Sequence, residues 1–279
     1  TEALPVREYD ICLDVNGKEV HRASVKNNGT DYIVPMEGLH PDDRIHIDVT
    51  AENLHASAEA IVPQPASIVA IDTMSVMAKT FSWYSNPSPH TRYMVKLRKP
   101  NDSKALQYYR VEMTRSHSKV SSFSIENGII DKITFTEPET DTTFSYANDP
   151  ALTESEAVDQ EGMSVSFDWL DGIKNKYHVF RSSFFKDGEY TLMIDIPQEV
   201  TTYNWRQDVN IRIYGISAIE YQYLLALSAF KVYDPDIFSG EPIMPTNVEG
   251  GAGIFCIESV SEINYLEDHV TMKVGDPHN

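Results

Sequence analysis

The sequence predicts an all-β protein, and three observations support that prediction. Apolar and polar residues alternate in many short segments, Asn-Gly pairs separate the first of these segments, and a helical period occurs once. A period of two places successive side chains on opposite faces of a strand, so these segments are typical of strands with one buried face. A chain of 279 residues with 41% hydrophobic residues can also bury a sizeable core.

The N-terminal region, residues 1–65, resembles an immunoglobulin-like or fibronectin-like β-sandwich. Residues 11–15 alternate ahead of Asn16-Gly17, a pair that suits the positive φ angles of a tight hairpin turn. Residues 45–49 alternate in the same way. The region is one or two strands short of a full sandwich, so we expect either a minimal sandwich or removal of residues before Thr1.

A boundary between two domains is predicted at Pro63-Gln64-Pro65, because the two prolines stiffen the chain and lack backbone donors. Residues 66–279 then predict a larger antiparallel β-sandwich or open barrel. The apolar positions of its clearest strands recur with a period of two: Tyr93, Val95, Leu97, Tyr109, Val111, Met113, Leu192, Ile194, Ile196, Val209, Ile211 and Ile213.

One helix is predicted inside this larger domain, at about residues 217–231. Ser217 and Glu220 form a capping-box pattern at its start, and Asp234-Pro235 ends it. Its apolar residues recur at helical spacing on one face: Ile219, Tyr223, Leu227 and Phe230. Because that apolar stripe is narrow, we expect the helix to lie across one edge or face of a sheet.

The net charge of −19 argues against nucleic acid or an anionic membrane surface as the main partner. Residues 92–119 nevertheless carry eight basic and two acidic side chains, whereas residues 137–161 carry eight acidic and no basic ones. The acidic stretch lacks sustained periodicity and predicts a long loop or insertion. We expect this insertion to lie against the basic strands. In the alternative, the basic strands form a docking face for an acidic partner.

The sequence offers no residue pattern typical of catalysis, so we predict a non-enzymatic protein and assign no catalytic, cofactor-binding or metal-binding residue. The nine histidines lack zinc-site spacing, and neither G-x-S-x-G nor S-x-x-K occurs. Gly250-Gly251-Ala252-Gly253 predicts a tight turn that feeds a strand from Ile254 to Val260. Cys12 and Cys256 form no metal or redox motif, and two buried free thiols are favoured over a disulfide.

Weaker binding hypotheses remain beside this interpretation. The acidic segment 137–161 suits weak Ca²⁺ binding, although a solvated loop is favoured. Asp234, Asp236 and Glu241 are similar to part of a calcium loop but lack its glycine, and a helix stop explains them better. Four aromatic residues near loop signals could stack on sugars, although such rings more often cap a sandwich: Trp83, Tyr84, Tyr203 and Trp205.

The C-terminal stretch from Glu241 to Phe255 is more specific than any of these spacings. Its residues Pro242, Pro245, Asn247, Gly250-Gly251 and Gly253-Ile254-Phe255 resemble the closing signature of a family of uncharacterised Bacteroidota outer-membrane lipoproteins. In that family, a Pro-rich stretch leads to an Asn, two Gly and a Gly-Ile-Phe. Three more stretches are similar to the family: Gly38 to Asp43, Val62-Pro63 leading to Ile68 and Asp72, and the helix from Ser217 to Phe230.

The resemblance implies a cell-envelope protein without an established activity. Members of the family carry an N-terminal lipid-modified Cys, which this sequence lacks, and are often encoded beside TonB-dependent receptors. We therefore expect a lipid-anchored protein on either face of the outer membrane that acts as a binding or accessory module for a TonB-dependent transporter. A glycan or peptide is a further candidate ligand. A surface adhesion or structural protein and a carbohydrate-binding module are the alternatives.

Overall fold

The computed structural model describes residues 8–26, 32–78, 86–100, 105–126, 129–141, 149–153, 175–198, 205–230 and 244–269. In these ranges the protein consists of antiparallel strands in three sheets, with one α-helix longer than a single turn. The predicted all-β class with one substantial helix is confirmed.

The first sheet combines four N-terminal strands with one C-terminal strand. Its strands are β1 (Glu8–Val15), β2 (Lys18–Lys26), β3 (Arg44–Ala51), β4 (Leu54–Ile61) and β13 (Val248–Glu249). They lie in the order β13-β4-β3-β1-β2, with every neighbouring pair antiparallel. Asn16 and Gly17 both have positive φ angles, as predicted for the turn between β1 and β2.

One face of the first sheet holds a small core. Its buried side chains are Leu13, Ile45 and Val62, and the partly buried side chains packed on them are Val15, Val34, Met36, Leu39, Ile47, Phe255 and Ile257. Within the residues that the structure describes, chain segments rather than a second sheet cover this face. The second layer of an immunoglobulin-like sandwich and the domain boundary at residue 65 stay predictions.

The other two sheets form the larger sandwich. The second sheet contains β7 (Tyr108–Glu126), β8 (Ile129–Phe135), β9 (Glu139–Asp141), β10 (Val179–Arg181), β12 (Trp205–Ile216) and β14 (Ser259–His269). Its order is β10-β7-β12-β14, and β8 and β9 also pair with β7. The third sheet contains β5 (Ser67–Ala78), β6 (Ser88–Arg98) and β11 (Glu189–Pro197), in the order β11-β6-β5.

The core of this sandwich contains the alternating residues that the sequence singled out. All twelve of those apolar positions, from Tyr93 to Ile213, are at most 2% exposed and belong to one cluster. They come from β6 and β11 of the third sheet and from β7 and β12 of the second. Because the inner faces of two sheets share these side chains, the predicted antiparallel sandwich is confirmed.

The helices are α1 (Pro150–Thr153), inside the predicted acidic insertion, and α2 (Ala218–Phe230); a 3₁₀ turn spans Ser182–Phe184. The Ser217 hydroxyl accepts a hydrogen bond from the Glu220 N–H at 3.2 Å, so α2 begins at the predicted cap. The helix contacts β7 and β10 of the second sheet, as expected for a helix that lies across a sheet. Among the described side chains of α2, Glu220 and Ser228 are buried, whereas Ile219, Tyr223 and Leu227 are half-buried.

Residues of the C-terminal signature, Asn247 and Gly250 among them, position β13 beside β4. The Asn247 amide donates to the carbonyls of Phe255 at 2.8 Å and Glu59 at 3.1 Å, and its oxygen accepts from the Phe255 N–H at 2.8 Å. Gly250 has a φ of 74°, and a Cβ there would overlap the His55 carbonyl oxygen. The predicted turn at residues 250–253 is confirmed. The predicted strand start at residue 254 is wrong, because β14 begins at Ser259 and residues 254–258 join no ladder.

Two leucines provide a matched test of the sandwich core. Leu192 is fully buried in the core, whereas Leu54 is 66% exposed. We expect Leu192→Ala to lower the free energy of unfolding by about 2–5 kcal/mol, since it removes buried surface and leaves a cavity. Leu54→Ala should change it by less than about 0.5 kcal/mol. Urea denaturation followed by circular dichroism measures both, and equal effects would contradict the assigned core.

Two glycines separate backbone strain from steric overlap. Gly17 and Gly250 have similar φ angles, 78° and 74°, but only a Cβ at Gly250 meets a backbone atom within 4 Å. Both Gly→Ala changes should cost about 1 kcal/mol through the positive φ. We expect Gly250→Ala to cost clearly more, because the His55 carbonyl must move and β13 must separate from β4. Thermal denaturation of the two variants checks this order, which an equal loss of stability would refute.

Candidate functional site

The aromatic residues proposed for sugar stacking are only partly covered by the structure. Trp83, Tyr84 and Tyr203 lie outside the described residues. Trp205 begins β12, where its backbone pairs with Lys119 of β7 and His269 of β14. The sugar-binding platform stays a prediction.

The described part of the acidic insertion does lie against the basic strands. β9 pairs with Arg115 to His117 of β7, and the His117 imidazole is 3.4 Å from the Glu139 carboxylate. The expected placement is confirmed for residues 139–141. Four basic side chains of residues 92–119 instead form salt bridges with acids outside the insertion. Arg92 contacts Asp195, Lys96 and Arg98 contact Glu189, and Arg110 contacts Glu258.

The calcium hypotheses receive no support from the part of the insertion that the structure covers. Asp149 is fully buried, where it accepts hydrogen bonds from the Met193 N–H at 2.7 Å and the Tyr190 hydroxyl at 2.9 Å. Burial raises its pKa, and these hydrogen bonds oppose the rise. This carboxyl therefore anchors the start of α1 to β11. Residues 142–148, 154–161 and the set at 234, 236 and 241 lie outside the described ranges.

The connecting segment, which we define as residues 254–258, contacts two different parts of the molecule with alternate side chains. Phe255 and Ile257 pack on the core of the first sheet. Glu258 instead accepts hydrogen bonds from the Arg110 guanidinium of β7, at 2.8 Å to Oε1 and 3.0 Å to Oε2. Cys256 lies near the same charged groups. The segment thereby joins the first sheet to the second.

A network of charged and aromatic groups surrounds Arg110. Its guanidinium lies 4.1 Å from the centre of the Tyr214 ring and 3.8 Å from the Glu112 carboxylate. The Tyr214 hydroxyl donates to Glu112 at 2.9 Å. Arg110 and Glu258 are respectively 23% and 30% exposed, so this pair is partly screened from water. Such bidentate contacts fix the geometry of a guanidinium more firmly than a single ion pair does.

Glu220 of α2 brings a second carboxyl group to this network. It is 4% exposed, and its Oε2 is buried without a hydrogen-bond partner. Burial, and then the neighbouring Glu258 carboxylate, raise the pKa of Glu220 to about 8. At neutral pH the Glu220 side chain is therefore largely protonated. An uncharged Glu220 adds no second negative charge beside the Arg110–Glu258 pair.

The thiol in this network is not arranged for reaction. Burial, and then the negative charge of Glu220, raise the pKa of Cys256 to about 12. Because the thiolate is the reactive species, Cys256 is inert near neutral pH. Burial, with Arg110 adding to it, lowers the pKa of His178 to about 4, so this imidazole is neutral. The arrangement holds a protonated carboxyl at a structural junction.

Cys12 and Cys256 are both free, as favoured, but half-buried rather than buried.

The β7–β8 hairpin, which we define as residues 120–126 and 129–135, extends the second sheet beyond β12. The last residue of β7 that pairs with β12 is Lys119; from Val120 to Glu126, β7 pairs with β8. Phe123 is 54% exposed on this hairpin, opposite the half-buried Ile133. Isolated two-stranded hairpins are marginally stable in water, so a partner that covers this one would stabilise it.

One group of side chains could hold a metal ion. Asp14 of β1 and His46 and Asp48 of β3 place potential ligand atoms within 4.8 Å of one another. All three side chains are half-buried. The sequence analysis missed this group because Asp14 lies 32 positions before His46 along the chain. The two residues meet only because β1 pairs with β3 in the register that places Asp14 opposite His46. The alternation of His46 and Asp48 in one predicted strand was the available signal.

Comparison with protein families gives one match. Residues 6–264 match a family described as a domain of unknown function, DUF4249. The chain belongs to this family. Both the β13–Gly253 turn and the Phe255 contacts lie inside the DUF4249 match, so the C-terminal signature is part of the family domain.

The DUF4249 match confirms an uncharacterised family and carries no specific activity. Neither the curated proteins nor the solved structures gave a match. Among the described residues, α2 is the longest helix, and no helix is long and apolar enough to cross a bilayer.

The raised pKa of Glu220 predicts a loss of stability with rising pH. Its carboxyl keeps a proton up to about pH 8 in the folded protein but loses it near pH 4.5 when unfolded. Between these values the folded state binds more protons, so the free energy of unfolding falls as pH rises. The side chain of Glu220→Gln cannot ionise, so we expect this variant to lack this part of the fall. At the alkaline end of the window its free energy of unfolding should be about 1–3 kcal/mol higher, relative to the wild type, than it is at the acid end.

Glu262→Gln is the matched control for this change. The hydrogen bond with Asn210, followed by that with Arg212, lowers the pKa of Glu262, so its effect lies at acid pH and has the opposite sign. Urea denaturation across the pH window measures the three proteins. Equal pH dependence of the wild type and Glu220→Gln would contradict a protonated Glu220.

Proposed function

We propose that this protein is a non-enzymatic binding module of the cell envelope that serves a TonB-dependent outer-membrane transporter. The chain belongs to the DUF4249 family, for which no activity is assigned. The resemblance of the C-terminal signature to outer-membrane lipoproteins supports the proposed location. The exposed β7–β8 hairpin is the observation that carries the binding role.

The hairpin is suited to contact a protein. Its backbone pairs through β7 and β8, and its described side chains contribute little to the sandwich core. Phe123 presents about half of its ring surface to solvent. Aromatic side chains are enriched among the residues that contribute most to binding at protein interfaces, so burial of this ring would favour association.

The charge of the chain favours a protein partner over a polyanion. The net charge is −19, and the basic side chains of β6 contact Asp195 and Glu189 on the adjacent strand. A nucleic acid needs unpaired cations in a continuous patch. An outer-membrane receptor offers loops and strand edges, which an exposed apolar hairpin can contact without such cations.

Co-purification from the natural host tests this proposal. The full-length lipid-anchored protein, tagged at its C-terminus, is extracted in mild detergent, and the recovered partners are identified by mass spectrometry. We expect a TonB-dependent transporter to be recovered with the wild type. Phe123→Glu should reduce that recovery at least about fivefold, because a charge replaces a buried apolar contact.

Leu54→Glu is the control, since Leu54 is another exposed apolar residue and lies on the first sheet. It should leave recovery unchanged. Equal recovery with Phe123→Glu would show that the hairpin does not dock. If the wild type is recovered alone and binds neither glycan nor peptide, the transporter role is wrong.

A further inference from the structure

Four side chains with metal-binding groups meet on the outer face of the first sheet. His46 and Asp48 come from β3, and Asp14 from β1 is directly opposite His46 in the strand register. His55 from β4 is opposite Thr50, two residues beyond Asp48 on the same face of β3. Three neighbouring strands, β1, β3 and β4, thus supply two imidazoles and two carboxylates to one place.

The distances place one oxygen of each carboxylate around a single imidazole nitrogen. The His46 Nδ1 is 3.2 Å from Asp48 Oδ2 and 3.9 Å from Asp14 Oδ2. Ligand atoms around a tetrahedral zinc ion lie about 3.3–3.5 Å apart, given bond lengths near 2.1 Å. The His46–Asp48 distance is close to this value, and a side-chain movement of about half an ångström brings Asp14 to it.

His55 contacts the other oxygen of Asp48. Its Nε2 lies 3.0 Å from Asp48 Oδ1, at hydrogen-bond distance. This contact leaves Asp48 Oδ2 directed to His46 and Asp14. Hydrogen bonds of this kind orient the ligands of metal sites and adjust their basicity.

Neither carboxylate forms a salt bridge with a Lys or Arg side chain in the part of the chain that the structure describes, although Asp14 is close enough to Arg22 to raise the pKa of that guanidinium. Within the ranges that the structure covers, no Lys or Arg nitrogen lies within 4.0 Å of Asp14 or Asp48. Other acids on the same sheet do have such partners, since Glu19 contacts Arg22 and Glu59 contacts Arg44. The negative charge at the centre of the face is therefore left for the imidazoles or for an added cation.

The strand framework holds this group in place. Ile45 and Ile47 alternate with His46 and Asp48, and Ile45 is 2% exposed in the core beneath. A slip of one residue would turn these isoleucines to solvent and the polar pair inward, so the register is strongly fixed. Ligands on paired strands keep their spacing better than ligands on loops.

We propose that Asp14, His46 and Asp48 bind a divalent transition-metal ion of the Zn²⁺ type, with His55 as the residue that positions Asp48. The mixture of imidazole and carboxylate suits Zn²⁺, whereas Mg²⁺ and Ca²⁺ prefer oxygen ligands alone. Binding through His46 Nδ1 requires the neutral imidazole tautomer that carries its proton on Nε2, so that the Nδ1 lone pair faces the ion. The exposed side of the site leaves a fourth position for water or for a donor from a partner.

Zn²⁺ itself is the probe in the test, which uses the whole chain with any affinity tag removed. We expect isothermal titration calorimetry to show one saturable Zn²⁺ site per chain. His46→Gln and Asp48→Asn should each weaken it at least about tenfold, and His55→Gln should weaken it less. Saturating Zn²⁺ should also raise the Tm of the wild type but not that of His46→Gln.

His40→Gln is the matched control, because His40 is an exposed imidazole on the same N-terminal unit, 3.8 Å from the Asp43 carboxylate. It should bind Zn²⁺ as the wild type does. Circular dichroism without metal confirms that each variant is folded. Absence of a saturable site in the wild type, or equal affinity in His46→Gln and His40→Gln, would overturn the proposal and leave a network of histidine–carboxylate contacts.

Discussion

The alternating contacts of the connecting segment, residues 254–258, hold the two main parts of the protein together. Phe255 and Ile257 enter the core of the first sheet, whereas Glu258 binds Arg110 of the second sheet. A few consecutive residues therefore contact both parts, and the Gln64 backbone against Gly215 of β12 is a second described contact between them. The Asn247 side chain sets where this segment begins, because it binds backbone groups of both Phe255 and Glu59.

The electrostatics of this junction depend on one carboxyl that remains neutral. Arg110 already has Glu258 and Glu112 as partners, so a charged Glu220 would add a negative group that no cation balances. Buried carboxyls in such settings keep their protons rather than bear the cost of desolvation. This carboxyl, 4% exposed, is one of the buried polar side chains that α2 directs to the rest of the protein.

Periodicity predicted what depends on local sequence. The twelve alternating core residues, the turn at Asn16-Gly17 and the cap at Ser217 all followed from spacing within a few residues. The buried environment of Glu220 did not, because its neighbours Glu258 and Cys256 lie far along the chain. The same limit applied to the group around His46: each strand showed its polar alternation, but only the pairing of β1, β3 and β4 places the side chains together. The start of β14 was predicted too early because the segment 254–258 alternates like a strand while it lies outside any ladder.

The position of β13 also has a consequence for biosynthesis. Asn247 and its partner Glu59 are 188 residues apart, so a chain growing from its N-terminus completes four strands of the first sheet long before the fifth exists. Until Phe255 and Ile257 are made, the nascent sheet lacks part of the cover over Leu13 and Ile45, and the outer edge of β4 is open. Exposed apolar surface and open strand edges promote aggregation of incomplete chains. Completion of the C-terminal segment therefore removes an aggregation-prone surface from the N-terminal sheet.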